Sequence, residues 1–177
     1  MSHAAQQNFV KSVFELYPED FINTRVAEIG SLNINGTVRE FFTNPSLYVG
    51  CDLGIGPGVD IVCYGHQLPY KDEVFDVTIS CECFEHDKHW QRTFQKMYDL
   101  LKPGGLLVFT CATTGRAEHG TTRTNPKDAP FTNDYYQNLT NSDFTACFDF
   151  ATMFESHAFS TNQTSYDLYF WGRKCKK

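Results

Sequence analysis

Three things are missing from this chain of 177 residues: an apolar run of membrane-spanning length, a surplus of basic charge, and any internal repeat. A spanning helix needs about 20 consecutive apolar residues, so no membrane partner is expected. Fifteen Lys and Arg stand against 21 Asp and Glu, a formal charge of -6 at pH 7. A chain of that sign has no overall field to hold a phosphate backbone, and nucleic acid is not an expected partner either. No leader with a charged start and an apolar run is present. The seven cysteines, an odd number, therefore read as reduced thiols in a cytoplasmic setting. Cys81 and Cys83 are too close for zinc-ribbon spacing, and no second Cys or His pair accompanies them. His86, Asp87 and His89, crowded at a helix start, read as surface polar groups, and no metal is expected. Lys174, Lys176 and Lys177 read as a solvated end.

What is present fits one domain over residues 1–177. Hydrophobic residues make up 41% and charged residues 20%, ordinary for a globular chain, so the 15% of aromatics stands out. They serve either a core or a stacking pocket. Phe9, Val10, Val13, Phe14 and Tyr17 recur at helical spacing and stop at Pro18, which predicts a lead-in helix over 4–17 covering a sheet edge. Apolar runs at 25–29, 47–51, 59–63 and 74–80 read as buried strands, with a short helix over 36–42. Trp90, Phe94, Met97, Leu100 and Leu101 give 88–101 a helical period. Pro103, Gly104 and Gly105 end that helix and launch a strand over 106–111.

Alternating strands and helices imply an α/β, doubly wound, mainly parallel sheet. Residues 113–141 carry Gly, Pro, Asn and Thr without a sustained period, and a loop of that length in a compact domain is commonly a lid. A helical piece over 142–148 and two strand-like runs at 158–161 and 168–172 read as a closing antiparallel hairpin.

In such a sheet the ligand sits beyond the carboxyl ends of the strands, where strand order reverses. The first run ends in Glu28-Ile29-Gly30-Ser31, where Glu28 can accept from a cationic group and Gly30 lets backbone approach a ligand. The second ends in Asp52, placed to accept both hydroxyls of a ribose. Together with Gly65-His66-Gln67-Leu68-Pro69-Tyr70, Phe75-Asp76-Val77-Thr78-Ile79-Ser80, Cys81-Glu82-Cys83-Phe84-Glu85-His86 and Leu100-Leu101-Lys102-Pro103-Gly104-Gly105, they form a series. Over residues 24 to 112 it resembles the class I S-adenosylmethionine (SAM)-dependent methyltransferases. The resemblance implies a seven-stranded sheet, SAM as cofactor, and a binding site made of Glu28, Gly30, Ser31, Asp52, Leu53, Gly65, His66 and Cys81. Two departures stand out: Gly30 is followed by Ser31-Leu32-Asn33-Ile34-Asn35-Gly36 without a middle glycine, and Tyr64 stands where the family commonly has an acid. The amides of a following helix are expected to complete the cradle.

Methyl transfer asks for an acceptor lone pair held in line with the methyl and, for a hydroxyl, a base. Glu82, Glu85, His86, Glu118 and His119 are base candidates, with Glu82 and His119 the preferred pair. Glu85 and Asp87 equally serve as helix caps, and His86 is open between catalysis and packing. Hydroxyls and tyrosines in 113–141, with Glu118, Arg123, Tyr135 and Tyr136 as contacts, suit a small polar acceptor such as a sugar, and the segment resembles one in methyltransferases that accompany glycan synthesis. O-methylation of such a saccharide or small molecule is the reading, beside a catalytically silent SAM-binding partner domain. A nicotinamide dehydrogenase is disfavoured because Gly-x-Gly-x-x-Gly is absent after Ile29. A DNA amino-methyltransferase is disfavoured because Ser80-Cys81-Glu82-Cys83 replaces the Asp/Asn-Pro-Pro-aromatic segment.

Overall fold

The structure, a computed structural model, describes residues 4–176. Helix α1 (Ala4–Leu16) is followed by β1 (Arg25–Ile29), β2 (Leu47–Asp52), β3 (Ile61–Val62) and β4 (Phe75–Cys81). Then come α2 (Trp90–Leu100), β5 (Leu101–Ala112), α3 (Asn141–Cys147), α4 (Phe150–Met153), β6 (Phe154–Asn162) and β7 (Asp167–Lys174). Among the described residues, these strands form one seven-stranded sheet in the order β3-β2-β1-β4-β5-β7-β6. All neighbours are parallel except the two pairings of β7, so the expected closing hairpin is the antiparallel edge.

Alternation along the strands sends side chains to two cores. Ala27, Ile29, Leu107, Phe109 and Cys111 face α2, α3 and α4, while Val26, Leu106 and Val108 face α1. Helices therefore cover both faces. The larger share of the core aromatics lies in the first core, where Phe94, Phe109, Phe144, Phe150 and Phe170 pack ring on ring. The lead-in helix lies across the sheet face rather than along an edge: Val10 and Val13 are buried with Val26, Ile79 and Val108, and Phe9 stacks on Tyr169 at 4.5 Å. A helix whose apolar stripe must be buried gains more from a face than from an edge.

Several other elements differ from expectation. The predicted helix over 36–42 is a single 3-10 turn at Arg39–Phe41, and the third strand shrinks to two residues. Pro103-Gly104-Gly105 lies inside β5: the partner strand advances from Phe75 to Val77 while β5 advances from Leu101 to Leu106, so these residues bulge outward, with Gly104 at φ +77. Helix α4 had no sequence signal. Lys174 is not a solvated end: it is buried, its ammonium donating to the Tyr98 and Leu101 carbonyls at 3.0 and 2.8 Å. Lys177 lies outside the described residues. No described helix is long and apolar enough to cross a membrane.

Candidate active site

Strand order reverses between β1 and β4, and a cavity of about 360 Å³ opens beyond their carboxyl ends and that of β2. On the β1–β2 side Asp52 is fixed by backbone. The Leu32 N–H donates to its Oδ2 (3.1 Å) and the Leu53 N–H to its Oδ1 (2.7 Å). Each oxygen thus keeps a lone pair, as a vicinal diol needs. Burial raises the carboxyl's pKa and those amides oppose it. Glu28 is buried and accepts from the Tyr48 hydroxyl at 2.8 Å. Burial pushes its pKa to about 7 against the pull of Tyr48 and Arg39.

Gly30 takes a left-handed φ of +77, and a Cβ there would fall 2.6 Å from that of Cys83, so only glycine fits. The Ser31 Oγ is buried without a hydrogen-bond partner. The expected cradle of helix amides is not present. No helix follows β1, and the Gly30 and Ser31 N–H groups donate to the Cys51 carbonyl, the Asn33 N–H to that of Pro57. The loop that lost its middle glycine has closed on β2 instead of opening to a ligand.

Of the sequence-predicted cofactor residues, Glu28, Gly30, Ser31, Asp52, Leu53, Gly65 and Cys81 line the cavity. His66 does not: its ring packs on Tyr64 and His89 and borders a separate depression beside Arg92 and Gln95. Leu32, Ile34, Cys63 and Cys83 line the cavity without having been singled out. Their alternation with loop residues carries no pattern, and only proximity in the fold reveals them.

The β4 side is built differently. Glu82 takes a left-handed φ of +52, a strained conformation for a non-glycine, and is buried at the cavity wall. Glu85 is fully buried, and neither carboxylate oxygen has a hydrogen-bond partner. Burial, and then the neighbouring Glu82, push its pKa to about 8. Neither Asp87 nor Glu85 caps α2, whose N-cap is His89 with no side-chain cap bond; Asp87 instead accepts from the His89 N–H and the Thr93 hydroxyl. His86 lines the cavity, and burial and His119 lower its pKa to about 3. Its Nε2 lies 3.4 Å from Nε2 of His119.

His119, brought from the predicted lid, and Tyr136 do not line the cavity. With His86 they form a triad of rings 4.9 to 5.4 Å apart. The segment 113–140 has little regular structure but is tied down: the Gln137 N–H donates to the Glu85 carbonyl and the Leu139 N–H to that of Ala112. Tyr135, with Ala129, Thr132 and Asn133, lines the cavity. Glu118 and Arg123 instead pair with each other at the outer rim at 2.8 Å, and neither lines the cavity. The Phe131 ring sits on Gly54, where a Cβ would meet it at 2.1 Å.

Sheet order, strand-end acids and cavity define a class I methyltransferase fold, and the resemblance read from the sequence is borne out. Residues 46–109 match the family described as a methyltransferase domain. Phthiotriol/phenolphthiotriol dimycocerosates methyltransferase 1 of Mycobacterium ulcerans (strain Agy99) is 34% identical over an alignment 79 residues long that covers 38% of this chain and 29% of that protein. The CurJ carbon methyltransferase superposes with a TM-score of 0.68 at 16% identity, over 97% of this chain and 54% of its own. The 1,6-didemethyltoxoflavin-N1-methyltransferase of Burkholderia thailandensis, solved with S-adenosylhomocysteine bound, superposes at 0.61 and 12% identity, over 99% and 93%. The chain spans less than two thirds of the first two.

SAM is the cofactor of this class, and the residues present fit it. Asp52 offers paired acceptors for a ribose diol, Glu28 an acid for an ammonium group, and Ser31 an orphaned hydroxyl beside a glycine that admits no side chain.

Proposed function

We propose that this chain is a SAM-dependent methyltransferase acting on a hydroxyl of a small polar acceptor, with a sugar as the leading candidate. The observation that carries the reading is the joining of two unlike walls in one cavity: acceptors fixed for a cofactor on β1 and β2, and the buried acid Glu82 with the His86 imidazole beyond β4. Bound by Glu28, Ser31 and Asp52, SAM would supply a methyl group on a positively charged sulfur, which can leave as a neutral thioether. Glu82 receives the acceptor's proton, and His86 and His119 stand at its side. Residues 113–141 act as the lid: Tyr135 and its neighbours exclude water and orient the acceptor, while Glu118, Arg123 and Tyr136 hold the lid's shape. A hydroxyl fits this wall because its proton must leave as the oxygen attacks, and a buried carboxylate beside it can take that proton.

The test is turnover. Release of S-adenosylhomocysteine with sugars or polyols, and none without acceptor, supports the proposal. SAM binding without turnover over a broad panel of hydroxyl, amine and carbon acceptors leaves a silent SAM-binding domain. Competition by NAD for the same cavity sinks both.

A further inference from the structure

Three side chains at the junction of cavity wall and lid offer one donor atom each, all within 4.8 Å of one another: Glu85, His86 and His119. Their protein contacts do not account for their placement. A carboxylate stripped of water and given no donor is costly, yet Glu85 is fully buried with both oxygens unpartnered. Two imidazoles face each other through Nε2 at 3.4 Å, long for a hydrogen bond between neutral rings. The Nδ1 of His119 lies 3.1 Å from the Ala117 carbonyl. An N–H donated there leaves Nε2 with its lone pair aimed at the cluster, the arrangement that orients a ligating histidine.

We propose that Glu85, His86 and His119 bind one divalent transition-metal ion of the imidazole-preferring kind, such as Zn²⁺ or Co²⁺. Ligands about 2.0–2.1 Å from a tetrahedral ion lie about 3.3 Å apart, close to the spacing of the two Nε2 atoms. Two nitrogens and one carboxylate disfavour Mg²⁺ and Ca²⁺, which take oxygen. Three protein ligands leave the remaining positions to water or to an acceptor oxygen, and Glu82 stands beside them at the cavity wall. The ion's use in holding the acceptor rests on the methyltransfer reading; its binding does not. His86 is thus shared with the trio read from the sequence, but Asp87 and His89 are not ligands, being engaged with Thr93, Tyr64 and His66.

The whole chain, purified with chelator and then freed of it, is titrated with Co²⁺ by visible absorption and with Zn²⁺ by calorimetry, without SAM. One equivalent should bind, with ligand-field bands and without the near-ultraviolet charge transfer that cysteine thiolates give. Losing an outer partner of a ligand already costs about 10- to 100-fold, so Glu85→Gln and His119→Ala should each weaken binding at least about 100-fold, and His157→Ala on β6 should not. His119 is only half-buried in the lid, and circular dichroism checks its fold should Glu85→Gln fail. No binding, thiolate bands, or unchanged affinity in His119→Ala overturns the site. SAM titrated separately keeps the two readings apart: metal without SAM sinks only the methyltransferase, and SAM without metal only this site.

Discussion

Asp52, the last residue of β2, and Glu85, four residues past β4, are both acids at the carboxyl edge of one sheet, and their surroundings are opposite. Asp52 is held by two amides and keeps partial contact with the cavity, whereas Glu85 is sealed from solvent with no donor to either oxygen. The first arrangement makes a rigid acceptor that is ready without a partner. The second is stable only when protonated or when a cation meets it. The contrast lies between two acids: Asp52 on the cofactor side is satisfied by backbone amides, whereas Glu85 beyond β4 is buried with neither oxygen paired.

The largest effect should come from Glu28, the second buried acid of the cofactor side. Its carboxyl is raised from 4.5 to about 7 by burial, so the folded state holds the proton more tightly than the unfolded one. That stability is complete below about pH 4.5 and is lost as pH rises through about 7, a change of about 3 kcal/mol at most. Urea unfolding between pH 5 and 8 should show a steeper decline for the native chain than for Glu28→Gln. Parallel curves would mean that Glu28 is not desolvated. Next, Glu82→Gln should lower turnover roughly 100-fold while SAM affinity changes little, read by single-turnover kinetics beside calorimetry. Equal rates would place the proton elsewhere.

Asp52→Ala should do the reverse, costing on the order of 1.5 to 3 kcal/mol of SAM affinity through lost charge-assisted contacts. An unchanged dissociation constant in the folded variant would remove the ribose assignment. The smallest effect is expected at Gly54, where an added Cβ must push the exposed Phe131 ring aside. Since that ring can swing into solvent, Gly54→Ala should move stability by less than about 1 kcal/mol. It should nevertheless speed proteolytic nicking within 118–135, and an unaltered cleavage rate would show that the lid does not depend on this contact.

Period and punctuation were enough to read β1, β2, β4, α2 and the terminal hairpin, because each alternates or repeats in a way that only one element satisfies. Acids and glycines at the ends of those runs made most of the cofactor wall legible, since strand ends are where such a sheet binds ligands. His66 misled because a residue four past the end of a strand can turn to either face, and here its ring packs on those of Tyr64 and His89 outside the cavity. The loop after Gly30 misled because its amides had two possible acceptors, a ligand or the end of β2, and the choice lies in backbone geometry.

By itself, then, the sequence determined the alternating strands and helices, the acids at the ends of the first two strands and the long segment after β5, which follow from local pattern. The seven-stranded sheet and its cofactor came from the family resemblance those residues carry. Only the tertiary structure decided that Glu85 is buried without a donor, and that His119, 33 residues from His86 in the chain, returns to within 3.4 Å of it. The reason is physical: periodicity is a property of neighbours along the chain, whereas desolvation and ligand geometry depend on what the folded chain brings from far away.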